Sequence, residues 1–114
     1  MNQIILTGNL GKDAEKGKYD TRFTLATTRK YKDKNGEYQE KTTWHSVSYI
    51  GKNEAIANLK KGQRVCVIGE YDVGQFKKSD GTSASYAQVV SFEVYVEPRA
   101  PRNSQDNDLP DFMR

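Results

Sequence analysis

The side chains best able to do covalent or metal chemistry are scarce in this sequence: His45 is its sole histidine and Cys66 its sole cysteine. One of each cannot assemble a zinc cluster or a His-rich metal site. A Cys-His dyad is open on paper, but both residues sit in strand-like apolar runs without a flanking pattern that would activate a thiolate. The segment Gly8-Asn9-Leu10-Gly11-Lys12-Asp13 lacks the Gly-Lys-Ser/Thr ending of a phosphate-binding loop, and no helix follows it. It reads as a strand-end turn. No catalytic residue, metal or cofactor is expected.

The richer signal is non-covalent. Sites for single-stranded nucleic acid need cations along the backbone path and exposed aromatic faces on which bases stack. Here the two types interleave three times. Arg29 and Lys30 precede Tyr31, with Lys32 and Lys34 after it; Lys41 lies just before Trp44; Lys77 and Lys78 follow Phe76. Lys52, beyond the Trp44 segment, is a further candidate phosphate contact. Trp44 shares a face with Ser46, Ser48 and Ile50, and His45 shares the other with Val47 and Tyr49. If the Val47 face meets the core, Trp44 is directed outward. The alternative is that barrel taper or a subunit contact buries the ring, and for Tyr31 and Phe76 the alternative is ordinary loop packing.

The elements that position these residues are mostly strands. Ile4, Leu6 and Leu10 share one face of a first strand, with Gly8 marking a crowded bend or bulge. A second strand covers Arg22 to Thr28, with Phe23 and Leu25 alternating with Thr24 and Ala26. From Arg29 to Lys41 the alternation breaks, and Asn35-Gly36 signals a hairpin turn. A third strand covers Thr42 to Ile50. Asn53 to Lys61 reads as the one short helix, with Ala55, Ile56 and Leu59 on one side and Gly62 as the stop. A fourth strand presents Val65, Val67, Tyr71 and Val73, and a fifth presents Tyr86, Val90, Phe92, Val94 and Val96. Strands with one helix between the third and fourth are the order of a five-stranded OB barrel. Pattern alone does not separate it from an SH3-like barrel.

At 114 residues with 35% hydrophobic content, the chain has room for one modest core. The formal charge is +3, and the stretch from Pro98 onward balances Arg99, Arg102 and Arg114 against Asp106, Asp108 and Asp111. The surplus therefore belongs to the folded part, expected over residues 1–97, where a positive field attracts phosphates. Residues 98–114, rich in Pro, Asn, Ser and Asp, are expected to form a disordered tail. Cys66, inside an apolar run, reads as a buried inert thiol in a reducing compartment. No segment is apolar enough to span a bilayer, so a cytoplasmic location without membrane contact is expected.

The same residues resemble bacterial-type single-stranded DNA-binding proteins. The run from Ile4 to Glu15, IILTGNLGKDAE, is similar to the family's first strand and its following turn. The run from Phe23 to Lys52 looks like its second strand, long loop and third strand, including the Trp44-His45 pair. Leu59 to Tyr71 resembles its helix end and fourth strand, and the similarity covers roughly residues 2 to 97. The resemblance implies an OB fold that self-assembles, usually as a tetramer. It implies sequence-tolerant binding of single-stranded DNA in replication, recombination and repair. Family stacking positions carry over to Tyr31, Trp44 and Phe76, whereas Ile50 stands where relatives have another aromatic. The short chain suits a phage or plasmid version. The tip, where Asp106, Asp108 and Asp111 surround Leu109, Pro110 and Phe112, is expected to dock replication or repair proteins. Two other readings stay open, a protein-interaction module of the replication machinery and an RNA-binding OB domain.

Overall fold

The computed structural model describes residues 1–98. Its elements run β1 (Ile4–Leu10), β2 (Glu15–Lys16), β3 (Thr21–Lys32), β4 (Tyr38–Tyr49), a 3-10 helix (Glu54–Asn58), β5 (Arg64–Lys77) and β6 (Ser83–Val96). The strand order is β1-β5-β6-β4-β3-β2, and β1 also pairs with β3 through Asn9↔Ala26 and Leu10↔Leu25. That second pairing closes the five long strands into an all-β, OB-like barrel; two-residue β2 only flanks β3. A side chain at Gly8 would run into the Ala26 carbonyl, so only glycine lets β1 pass from β5 to β3.

Alternate residues of each strand turn inward and supply the core: Leu10, Phe23, Leu25, Val47, Tyr49, Val65, Val67, Val89 and Val94, with Ile4 and Leu6 packed against it. The expected helix over Asn53 to Lys61 is reduced to one 3-10 turn between β4 and β5, the third and fourth long strands. The Asn53 side chain caps it by accepting from the Ala55 N–H at 3.1 Å. The Leu59 N–H donates to the Ile56 carbonyl three residues back, at 3.2 Å. A three-residue repeat puts Ile56 and Leu59 together in the core and leaves Ala55 exposed, which an α-helix would not require.

Two further expectations change. The polar stretch Arg29 to Lys41 is largely strand rather than loop, because β3 and β4 stay in register out to Lys32↔Tyr38. A ladder with solvent on both faces keeps its backbone hydrogen bonds without any apolar alternation. Only the tip turns, where the Asp33 carboxylate accepts from the N–H groups of Asn35 and Glu37 at 2.9 and 3.0 Å. These bonds hold the Asp33 carboxyl below its ordinary value, the Glu37 N–H contributing most.

The inward face of β6 also differs. An irregularity opposite Ile68 and Gly69 leaves Phe92 as an extra residue between the Ile68↔Glu93 and Gly69↔Ser91 pairs. Val89 and Ser91 point inward before it and Val94 after it, so Phe92 and Tyr86 are exposed instead of joining Val94 in the core. The Ser91 hydroxyl ties the bulge together, with the carbonyls of Ile68 and Glu93 at 2.8 and 2.9 Å as alternative acceptors for its one proton. Cys66 is half-buried on the outer face of β5 rather than in the core, since Val65 and Val67 take the inward positions.

Candidate nucleic-acid interface

Strands β4 and β6 pair only over Val47–Tyr49 and Val89–Ser91. Beyond that seam, the β3–β4 and β5–β6 hairpins each continue as a two-stranded arm. Cross-strand partners share a face and successive pairs alternate, so the register assigns every arm residue to a side.

On one face of the β3–β4 arm the pairs are Arg22↔Ser48, Thr24↔Ser46, Ala26↔Trp44, Thr28↔Thr42, Lys30↔Glu40 and Lys32↔Tyr38. Trp44 stands in the middle of this track, 61% exposed. Its ring lies over Gly11, where any side chain would meet it, so glycine at that turn seats the indole while leaving it in contact with solvent. At the barrel end the Asp20 carboxylate accepts from the Ser48 hydroxyl at 2.5 Å and from Arg22 Nε at 2.9 Å. The Ser48 bond, helped by Arg22, holds the Asp20 carboxyl below its ordinary range. A cleft lined by Lys12, Arg22, Thr24 and Ser46 adjoins this end. At the tip end, Lys30 pairs with Glu40 at 3.7 Å, and the Lys32 ammonium sits 5.1 Å from the Tyr38 ring centroid.

The opposite face carries Thr27↔Thr43, Arg29↔Lys41 and Tyr31↔Gln39. The Arg29 guanidinium lies 5.6 Å from the Tyr31 ring centroid, and Arg29 and Lys41 border a shallow recess with Thr27 and Thr43. The cluster that is continuous in sequence is therefore divided in space: Arg29, Tyr31 and Lys41 on one side, Lys30, Lys32 and Trp44 on the other. Lys34 lies in the tip turn and Lys52 just past β4, both exposed.

On the other arm Phe76 is half-exposed, its ring centroid 6.5 Å from that of Tyr86 at a 38° tilt. Tyr86 in turn lies against Gly74. Exposed Lys77 and Lys78 adjoin Phe76 at the strand end. Of the cations singled out in the sequence, Lys30 is the one in an ion pair among the described residues. Arg29, Lys32, Lys34, Lys41, Lys52, Lys77 and Lys78 make no ion pair among the described residues.

His45 faces Thr27, their Nε2 and Oγ1 atoms 2.9 Å apart, and β6 stands between its strand β4 and the β5 strand that carries Cys66, so the structure does not bring the dyad together. Among the described residues no group of His, Cys, Asp and Glu is placed to hold a metal, and no helix is long and apolar enough to cross a membrane. The tail candidates Asp106, Asp108, Leu109, Pro110, Asp111 and Phe112 lie outside the described residues.

As binding residues the sequence marks neither Tyr38, which no pattern singles out, nor Tyr86, which alternation assigns to the core face of the fifth strand. Tyr38 had no legible signal: a two-residue turn at Asn35-Gly36 would set it against Asp33, whereas the loop closes through Asp33 and Glu37 and sets it against Lys32. Tyr86 had none, because its approach to Phe76 depends on the long-range β5–β6 register.

Comparison with known proteins settles the family. The model of the single-strand binding protein family matches residues 1–112. The chain belongs to this family. A single-stranded DNA-binding protein of Xanthomonas axonopodis pv. citri (strain 306) is 39% identical over 103 residues, covering 84% of this chain and 57% of the relative. One from Xylella fastidiosa (strain Temecula1 / ATCC 700964) is 37% identical over the same length, covering 63% of that protein. The chain thus spans about three-fifths of these relatives, 57% and 63%. Its fold is similar to that of a Plasmodium falciparum SSB in complex with ssDNA, with a TM-score of 0.76 at 24% identity over 86% of this chain and 96% of that one. A deletion mutant of the single-stranded DNA binding protein from Thermus aquaticus gives 0.73 at 24% identity, over 86% of this chain and 51% of that one.

Proposed function

We propose that this family member binds single-stranded DNA with little sequence preference, without catalysis, and serves replication, recombination and repair by covering exposed strands. The observation that carries this is the Trp44 track: one exposed indole, seated on Gly11, in a lane of hydroxyls with cations at both ends. Tyr31 with Arg29 and Lys41, and Phe76 with Lys77 and Lys78, supply two more places where a base stacks while a cation meets its phosphate. The Thr and Ser hydroxyls of the track rotate and can donate or accept, which suits contact with any base. Titration with oligo-dT, followed by the fluorescence of Trp44, tests the proposal. Saturable quenching supports it; an unchanged signal with no complex by an independent method overturns it.

Self-assembly, with a tetramer favoured, belongs to the same proposal. The outer face of β1, β5 and β6 presents Ile5, Phe92 and Tyr95, 60%, 56% and 58% exposed, around partly buried Ile68 and Cys66. Beside it β1 pairs with β3 only at Asn9 and Leu10, so the rest of that edge is open to a strand from a second copy. Sedimentation velocity that finds only monomer at micromolar concentration would remove this part. The family relationship suits a cytoplasmic protein, and the tail tip is proposed to dock partner proteins.

A further inference from the structure

We infer that Tyr38 is a base-stacking site at the tip of the β3–β4 arm, and that the Trp44 track continues to it as one path for a single strand. This rests on the single-strand binding proposed above. No motif marked Tyr38, and it occupies no stacking position carried over from the family.

Three observations place it. Tyr38 is 75% exposed although it sits in a regular strand, so its ring is not spent on packing. Its cross-strand partner is Lys32, and the Ala26↔Trp44 pair lies an even number of steps away on the same ladder, so Tyr38 and Trp44 share a face. The Lys32 ammonium covers one side of the ring at 5.1 Å, which fixes the ring while the cation stays at the surface to meet a phosphate. A base on the other side of the ring completes the pairing of stacked base and neutralised phosphate that single-strand sites use.

Tyr31 is the competing aromatic on this arm, and it faces the other way. A strand that leaves Trp44 along the arm meets Thr28 and Thr42, then Lys30 and Glu40, then Tyr38, before it meets Tyr31. The rings of Trp44 and Tyr38 are six strand residues apart, about 20 Å at roughly 3.3 Å per residue. A strand shorter than about 20 Å cannot touch both.

That length dependence is the test. Affinities of the full chain, Tyr38→Ala and Tyr38→Phe are measured for two oligo-dT probes, one short enough to fall inside the span and one several times longer. Tyr38→Ala should weaken the long probe by about five-fold or more and leave the short one unchanged. Tyr38→Phe should bind both like the parent, since the ring and not the hydroxyl is used. A 5-iodouracil strand should photo-crosslink to Tyr38. Unchanged affinity for the long probe, with Trp44 still quenched, overturns the site while leaving the single-strand proposal standing. Equal loss on both probes together with a lower melting temperature overturns it too, by showing that Tyr38 serves the arm's stability. A parent chain that binds neither probe fails the underlying proposal instead.

Discussion

Replacing Trp44 by Ala removes the one indole from the proposed track, and the structure separates its effects on binding and folding. With 61% of the residue exposed, about two-fifths of its surface is covered, part of it where the ring lies over Gly11. A tryptophan that buried all of its roughly 250 Å² would remove that area from water. Two-fifths of it at ~25 cal/mol/Å² sets an upper limit of about 2.5 kcal/mol on the folding cost. Loss of a stacked base costs about 1–3 kcal/mol of binding free energy. The two ranges overlap, so the assay reads both. Thermal melts locate a temperature at which the variant is fully folded, and fluorescence anisotropy of labelled oligo-dT is recorded there. Affinity should fall by roughly 1–3 kcal/mol in a folded variant, and Trp44→Phe should recover most of it. Undiminished affinity in a folded Trp44→Ala protein would refute the placement of a base on this ring.

Other consequences follow from the charges and the tail. The logarithm of affinity for oligo-dT should fall with the logarithm of salt at about −0.7 per phosphate contacted, and replacing Arg29 and Lys41 together by Gln should make that slope shallower; an identical slope would exclude them as contacts. The Asp33 carboxyl, held low mainly by the Glu37 N–H, should titrate below the ordinary 3.8 by carboxyl NMR. Because its folded value is depressed, its contribution to the arm tip is present above 3.8 and is lost as pH falls through the lower folded value, so a midpoint at or above 3.8 contradicts the capped turn. Deleting Gln105 to Arg114 should abolish recruitment of replication proteins in pull-downs while DNA affinity holds or rises slightly; recruitment that survives the deletion would sink the docking role.

Much of this architecture was legible because the core obeys a two-residue period. Ile4, Leu6 and Leu10, Phe23 and Leu25, Val47 and Tyr49, and Val65 and Val67 each lie on the face that alternation assigns them. By the same alternation Trp44 faces outward. What escaped the pattern has identifiable causes. Phe92 breaks the parity of β6 because of a bulge that Ser91 bonds both to Glu93 and, across the sheet, to Ile68, and no hydrophobic period marks such a bulge. The 3-10 turn at Glu54–Asn58 satisfies the same Ile56 and Leu59 spacing as a helix, so periodicity could not tell them apart. The β3–β4 arm was hidden because a ladder wetted on both faces carries no hydrophobic signal. With that arm unseen, the division of Arg29 and Tyr31 from Lys32 and Trp44 was unseen too, since parity assigns faces only once the strand is known to continue.

The central claim, that this surface is built for an unpaired DNA strand, is tested most directly by competition. A labelled oligo-dT bound to the full chain is displaced with unlabelled single-stranded DNA, duplex DNA and RNA of equal length at one salt concentration. Exposed rings that stack on free bases predict that the single DNA strand displaces the probe at far lower concentration than the duplex, whose bases are already stacked on each other. Equal displacement by duplex would show that charge alone holds the nucleic acid and would contradict the stacking account.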